Sequence, residues 1–136
     1  MKSITVVSED RVGLLADVSY ILGKSNINID GLFVDVVGGK AVISLEVKDT
    51  KKASDILVRN GFTTASPESI VIKISNNNMD RISEMLQVGK IQLKDFSMLS
   101  CDNRDGVFAL NVDKPRKAHK VLEQFILGHD IEPGVY

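Results

Sequence analysis

The chain has 136 residues, 17 Lys and Arg against 18 Asp and Glu, and a formal net charge of −1. Hydrophobic residues make up 43% and charged residues 26%, a folded globular composition rather than a disordered one. The near-neutral charge speaks against a dedicated nucleic-acid binder, which needs a net basic face, and a single cysteine, Cys101, excludes an intrachain disulfide framework.

The apolar run that follows Met1-Lys2-Ser3 ends at Ser8-Glu9-Asp10-Arg11. It is too short for a secretory core or a membrane span, so a cytoplasmic protein without membrane contact is expected. No HExxH, CxxC, GxSxG or P-loop pattern occurs, and the two histidines, His119 and His129, lie ten positions apart. The expectation is a protein that is not an enzyme, with no catalytic residue, no metal and no cofactor.

In chain order, residues 3–8 read as a strand. Leu14, Leu15, Val18, Ile21 and Leu22 then share one helical face. Ile27-Asn28-Ile29 opens an extended segment that Gly38-Gly39 turns back into residues 40–48. There Ile43, Leu45 and Val47 alternate with Ser44, Glu46 and Lys48. Thr50 is placed to cap a second helix, with Ala53, Ile56 and Leu57 inward and Asn60-Gly61 as its stop. Residues 62–65 close this half with a short extended piece, and residues 65–68 form a linker.

The second half echoes the first. Residues 69–75 read as a strand in which Ile70, Ile72 and Ile74 recur with period two. Met79, Ile82, Met85 and Leu86 make a helical stripe. Ile91-Gln92-Leu93 stands 64 positions after Ile27-Asn28-Ile29. Beyond the turn at residues 102–106 the offset becomes 65, which predicts one extra residue in the second hairpin. Asp113 is placed to cap a last helix with Pro115 early and Ala118, Val121, Leu122, Phe125 and Ile126 inward. Residues 130–136 would close this half.

Each half thus reads β-α-β-β-α-β, the split βαβ arrangement. The expected fold class is α+β: two tandem ferredoxin-like βαββαβ units, residues 1–66 and 67–136. Each would carry helices on one face of an antiparallel four-stranded sheet, with the two sheets paired side by side. A unit of roughly 65 residues has a marginal core of its own, and pairing would extend it and cover an exposed edge.

The segment Ile4-Thr5-Val6-Val7-Ser8-Glu9-Asp10-Arg11-Val12-Gly13-Leu14-Leu15-Ala16-Asp17-Val18 resembles the opening of an ACT domain. In that family a strand ends in an acidic or amide-rich turn, Arg-x-Gly follows, and a Leu-rich helix begins. Ile27-Asn28-Ile29 is similar to the family's Gly-x-Asn-Ile at the start of the second strand. The topology covers both halves, the motif only residues 4–30. The resemblance implies a non-catalytic allosteric sensor, most often of an amino acid, that binds ligand at an inter-domain interface and regulates amino-acid metabolism. The implied partners are an amino acid, a second copy in a homodimer, and a biosynthetic enzyme.

The residues of the motif suit that chemistry. Gly13 has no Cβ, so a ligand can approach the backbone. The N–H groups of Gly13, Leu14 and Leu15 at the helix start, with the positive end of the helix dipole, suit a carboxylate. Asp10 can accept from an ammonium, and Ser8 or Asn28 can add orienting hydrogen bonds. The resemblance adds Arg11 and Ile29, and places Asn28 where the family's side-chain amide reaches ligand. Val12 stands where the family often has proline, which leaves the turn less preorganised but removes no contacting group. The same residues also have plain structural readings: Asp10 as an N-cap, Gly13 as a tight-turn glycine, Asn28 as a surface amide.

The second half departs from the motif. Ser75-Asn76-Asn77-Asn78-Met79 has no Arg-x-Gly, and Gln92 replaces the asparagine. This half reads as degenerate, a structural wall or dimer surface, with the asparagines as an amide-rich cap or a ligand-contacting loop. Lys114, Arg116, Lys117, His119 and Lys120 form a basic run that reads as a solvated helix face rather than a phosphate site. RNA-recognition motifs share the topology but need aromatic residues on their first and third strands. Residues 4–7 and 41–47 have none, and the second half offers only Phe108. Residues 102–106 fail as a calcium loop because Arg104 takes a ligand position and no glutamate completes it. Cys101 reads as a structural thiol. The alternative function is a ligand-independent assembly subunit that docks on a metabolic enzyme through sheet edges.

Overall fold

Alternating apolar residues build the first sheet. In the computed structural model, which describes residues 2–66 and 68–127, strand β1 (Lys2–Glu9) leads into helix α1 (Leu14–Lys24). The hairpin strands β2 (Gly31–Val37) and β3 (Lys40–Val47), helix α2 (Thr50–Arg59) and the short strand β4 (Thr63–Thr64) follow. The sheet is antiparallel in the order β2-β3-β1-β4. Val37 pairs with Lys40, so Gly38 and Gly39 form a two-residue turn. Their φ values of 60° and 76° are those a primed hairpin turn requires, which explains the glycines.

Ile4 and Val6 of β1 and Ile43, Leu45 and Val47 of β3 meet Leu14, Val18 and Leu22 of α1 and Ala53 and Leu57 of α2 in one core. Leu15, expected on this face, is 40% exposed. It lies at the edge of the stripe that Leu14, Val18, Ile21 and Leu22 define, one residue out of phase. The Ser54 and Thr64 hydroxyls, 3.0 Å apart, tie α2 to β4.

The cap of α2 is Asp49, not Thr50: the Asp49 carboxylate accepts from the Lys52 N–H at 3.0 Å. Thr50 is already the first helical residue, and a capping side chain must come from the non-helical position before it. Asp49→Ala is expected to cost about 1 kcal/mol, measured as a lower urea midpoint at unchanged slope. At the other end Gly61 is left-handed at φ 88°, and the Phe62 N–H donates to the Leu57 carbonyl at 3.0 Å. Helix α1 ends the same way through Asn26 and Ile27. Both exits turn an apolar residue back onto the core.

The chain divides into two compact units, Met1–Pro67 and Glu68–Tyr136. In the second, strand β5 (Ile70–Ser75) and a 3-10 turn (Asn76–Asn78) precede helix α3 (Met79–Val88). Strands β6 (Leu93–Cys101) and β7 (Asp105–Val112), helix α4 (Pro115–Val121) and a 3-10 turn (Glu123–Phe125) follow. Ile70, Ile72, Ile74, Leu110, Ile82, Leu86, Ala118 and Leu122 form its core.

Here the sheet has three strands among the described residues, in the order β5-β7-β6. An isolated bridge between Ile72 and Ile126 and a bond from the Leu127 N–H to the Val71 carbonyl at 3.0 Å flank β5. The closing piece expected at residues 130–136 lies outside the described residues. Strand β6 carries two register shifts, at Leu93/Asp95 and Met98/Ser100, each of which places one additional residue on that strand.

Asp113 does not cap α4. Its carboxylate accepts from the Gln92 N–H at 2.8 Å, and Lys114 occupies the cap position before Pro115. Asn76, first of the three asparagines, donates from its side chain to the Asn103 carbonyl at 3.1 Å and from its backbone to Arg104 at 2.9 Å. In that hairpin loop the Asp102 carboxylate accepts from the Arg104 and Asp105 N–H groups, both at 2.8 Å. The Asp105 and then the Arg104 backbone bonds hold its pKa below the ordinary value of 3.8. Among the described residues no helix is long and apolar enough to cross a membrane.

Candidate functional site

The site begins where β1 gives way to α1. Gly13 is the N-cap residue of α1, left-handed at φ 80° and ψ 3°, and no side chain caps the helix. A Cβ on Gly13 would meet nothing within 4 Å, so the glycine serves the backbone conformation rather than a tight space. Asp10 is not the cap. Its backbone N–H donates to the Gly39 carbonyl at 3.3 Å, which ties this turn to the β2–β3 hairpin. The Leu14 N–H turns back to the Arg11 carbonyl at 3.3 Å, so it is not the free donor that the helix start suggested.

Two ion pairs flank the turn. Arg11 Nη2 lies 2.8 Å from Asp17 Oδ2, across the first turn of α1. Lys40 Nζ lies 3.4 Å from Glu9 Oε1, because β1 and β3 place Glu9 opposite Lys40. All four side chains are about half exposed or more. Exposed pairs of this kind contribute roughly 0–1 kcal/mol, so their members can exchange partners at little cost.

A cavity of about 580 Å³ lies among these groups. Val7, Ser8 and Glu9 of β1, Arg11, and Asp17, Tyr20 and Ile21 of α1 line one part. Lys40 and the corner Asn60-Gly61-Phe62-Thr63 between α2 and β4 line the rest. Two cations and two anions leave the lining neutral. The Asn60 side chain donates to the Ile56 carbonyl at 2.8 Å, which holds the corner in place.

Of the residues expected from sequence, Ser8 and Arg11 line this cavity. Asp10 and Gly13 belong to the adjoining turn. Leu14 is 5% exposed and packs in the core, and Leu15 faces outward. Asn28, exposed, and Ile29, partly buried against the core, sit on the connection between α1 and β2 and do not line the cavity. Glu9, Asp17, Tyr20, Lys40 and Phe62 were not legible as site residues. The Glu9–Lys40 pair joins positions 31 apart and follows only from the β1–β3 register.

The second unit carries a cavity of another character. It has about 300 Å³, lined largely by apolar residues including Ile74, Met79, Ile82, Leu86 and Phe96. Phe96 stacks on Phe108 with ring centroids 4.8 Å apart.

No curated protein matches the chain. Among solved structures it is similar to protein BT0572 from Bacteroides thetaiotaomicron, at 20% identity and a TM-score of 0.49, covering 90% of this chain and 86% of that one. It is similar also to the regulatory subunit of aspartate kinase from Thermus thermophilus in its ligand-free form, at 13% identity and a TM-score of 0.43, covering 90% of each. A third is the acetolactate synthase small subunit from Thermotoga maritima, at 12% identity and a TM-score of 0.39, covering 91% of this chain and 85% of that one. Residues 2–57, the stretch that forms β1, the Gly13 turn, α1, the β2–β3 hairpin and most of α2, match the family model for the ACT domain.

Proposed function

We propose that this chain is a non-catalytic regulatory protein that binds an amino acid in its first unit and thereby regulates amino-acid metabolism, with the second unit a degenerate ACT-like copy. The observation that carries the reading is the neutral cavity at the β1–α1 turn, in which two cations and two anions stand beside apolar side chains. A zwitterion needs one cation and one anion within reach of a single α-carbon, and the Arg11–Asp17 pair supplies both. The ACT match over residues 2–57 supports the same reading.

A thermal-shift screen of the twenty amino acids at millimolar concentration tests it. Ligand at 100 times its Kd stabilises the folded state by about 2.7 kcal/mol, a rise of several degrees in Tm for a chain of this size. Arg11→Ala removes a charge-assisted hydrogen bond of roughly 1.5–3 kcal/mol and is expected to weaken the response at least tenfold, with unliganded Tm little changed. No shift with any amino acid would count against the proposal.

A second reading is a ligand-independent assembly subunit. It is favoured by Leu93, Phe96 and Met98, all exposed on β6, the edge strand of its sheet among the described residues. Stable copurification with one biosynthetic enzyme in amino-acid-free buffer, abolished by Phe96→Ser with Met98→Ser, would support it.

A further inference from the structure

We infer that the cavity selects a net-neutral amino acid with a bulky apolar or aromatic side chain, held at its α-carbon by Arg11 and Asp17. The inference rests on the amino-acid reading above and narrows it to a ligand class.

Three observations converge. The planar Arg11 guanidinium suits a carboxylate with two parallel bonds, and the Asp17 carboxylate beside it at 2.8 Å suits the adjacent ammonium. Asp17, Tyr20 and Ile21 stand at i, i+3 and i+4 on α1 and so share one helix face. A ligand anchored at Asp17 therefore lays its side chain along Tyr20 and Ile21, with Phe62 also lining the cavity. Residues 1–67 contain three aromatic residues, Tyr20, Phe33 and Phe62, and two of them line this one cavity. Tyr20 is 69% exposed, so its ring is available for stacking.

The remaining pair sets the charge rule. Glu9 and Lys40 neutralise each other at 3.4 Å. A cationic side chain would meet Lys40 as well as Glu9, and an anionic one Glu9 as well as Lys40. Either gains one attraction, suffers one repulsion and loses hydration. A neutral apolar side chain incurs neither cost.

Calorimetric titration of the full chain with phenylalanine, leucine, glycine, aspartate and lysine decides the matter. Phenylalanine or leucine is expected to bind at least roughly tenfold more tightly than the other three. Phe62→Leu with Tyr20→Ser should reduce the phenylalanine affinity severalfold and leave weak glycine binding unchanged, while Arg11→Gln should weaken every ligand. Glycine, aspartate or lysine binding as tightly as phenylalanine would overturn the inference and leave the amino-acid reading standing. Phenylalanine binding that is indifferent to both variants would place the ligand elsewhere and also overturn it. Absence of binding by all five and by the other fifteen amino acids would remove the underlying reading itself.

Discussion

Leu22→Ala is expected to lower stability by about 2–5 kcal/mol, a large share of the roughly 5–15 kcal/mol that holds a domain folded. Leu22 is fully buried and packs in the core where α1 and α2 meet β1 and β3. Alanine is the best helix former, so the change leaves the backbone of α1 satisfied and isolates the cavity term. The expected measurement is a lower urea midpoint, with hydrogen-exchange protection lost in β1 and β3. Leu15→Ala is the matched comparison, the same substitution in the same helix at a residue 40% exposed. Its expected cost is below about 1 kcal/mol, in line with the smaller area it removes from water. Equal costs for the two variants would contradict the packing described for α1.

Gly106→Ala is expected to destabilise by about 1–3 kcal/mol through overpacking. A Cβ at Gly106 would stand 2.6 Å from Phe108 Cε2 and 2.9 Å from Cζ, well inside van der Waals contact. The Phe108 ring has little freedom to retreat, since it is 8% exposed and stacked on Phe96. Gly106 sits on the central strand β7, paired with Ile74 on one side and Cys101 on the other, so the backbone cannot yield without loss of ladder bonds. The clash is specific to one ring, and that makes it testable. In a double-mutant cycle with Phe108→Leu, the cost of Gly106→Ala should fall by at least about 0.5 kcal/mol. Additive costs would show that the penalty comes from the strand backbone rather than the ring.

Much of the architecture is legible in local pattern. Alternation along Ile43, Leu45 and Val47, the Gly38-Gly39 turn and the helical spacing of Leu14, Val18 and Leu22 are local signals, and each maps onto an observed element. The misreadings arise where a polar residue chooses between a local and a distant partner. Asp113 stands in a position suited to capping, yet its carboxylate takes the Gln92 N–H, 21 positions away. Thr50 and Asp49 are adjacent and both are good caps; only the start of helical backbone decides between them. The candidate site was half legible for the same reason. Ser8 and Arg11 lie within the motif, whereas Lys40 reaches the cavity through strand register and Phe62 through the corner after α2. Asp17 lies within the motif's span too, but its pairing with Arg11 depends on how the Gly13 turn presents the helix.

The two register shifts in β6 bear on solubility. An edge strand that exposes Leu93, Phe96 and Met98 at 42%, 39% and 58% would, if flat, offer a regular row of backbone donors and acceptors to any other extended chain. The shifts at Leu93/Asp95 and Met98/Ser100 interrupt that row twice within nine residues and increase the local twist. Lys94 and Asp95 add charge at the first of them, in the manner of residues that guard aggregation-prone strands. The strand can thus keep an adhesive set of side chains without becoming a template for fibril growth.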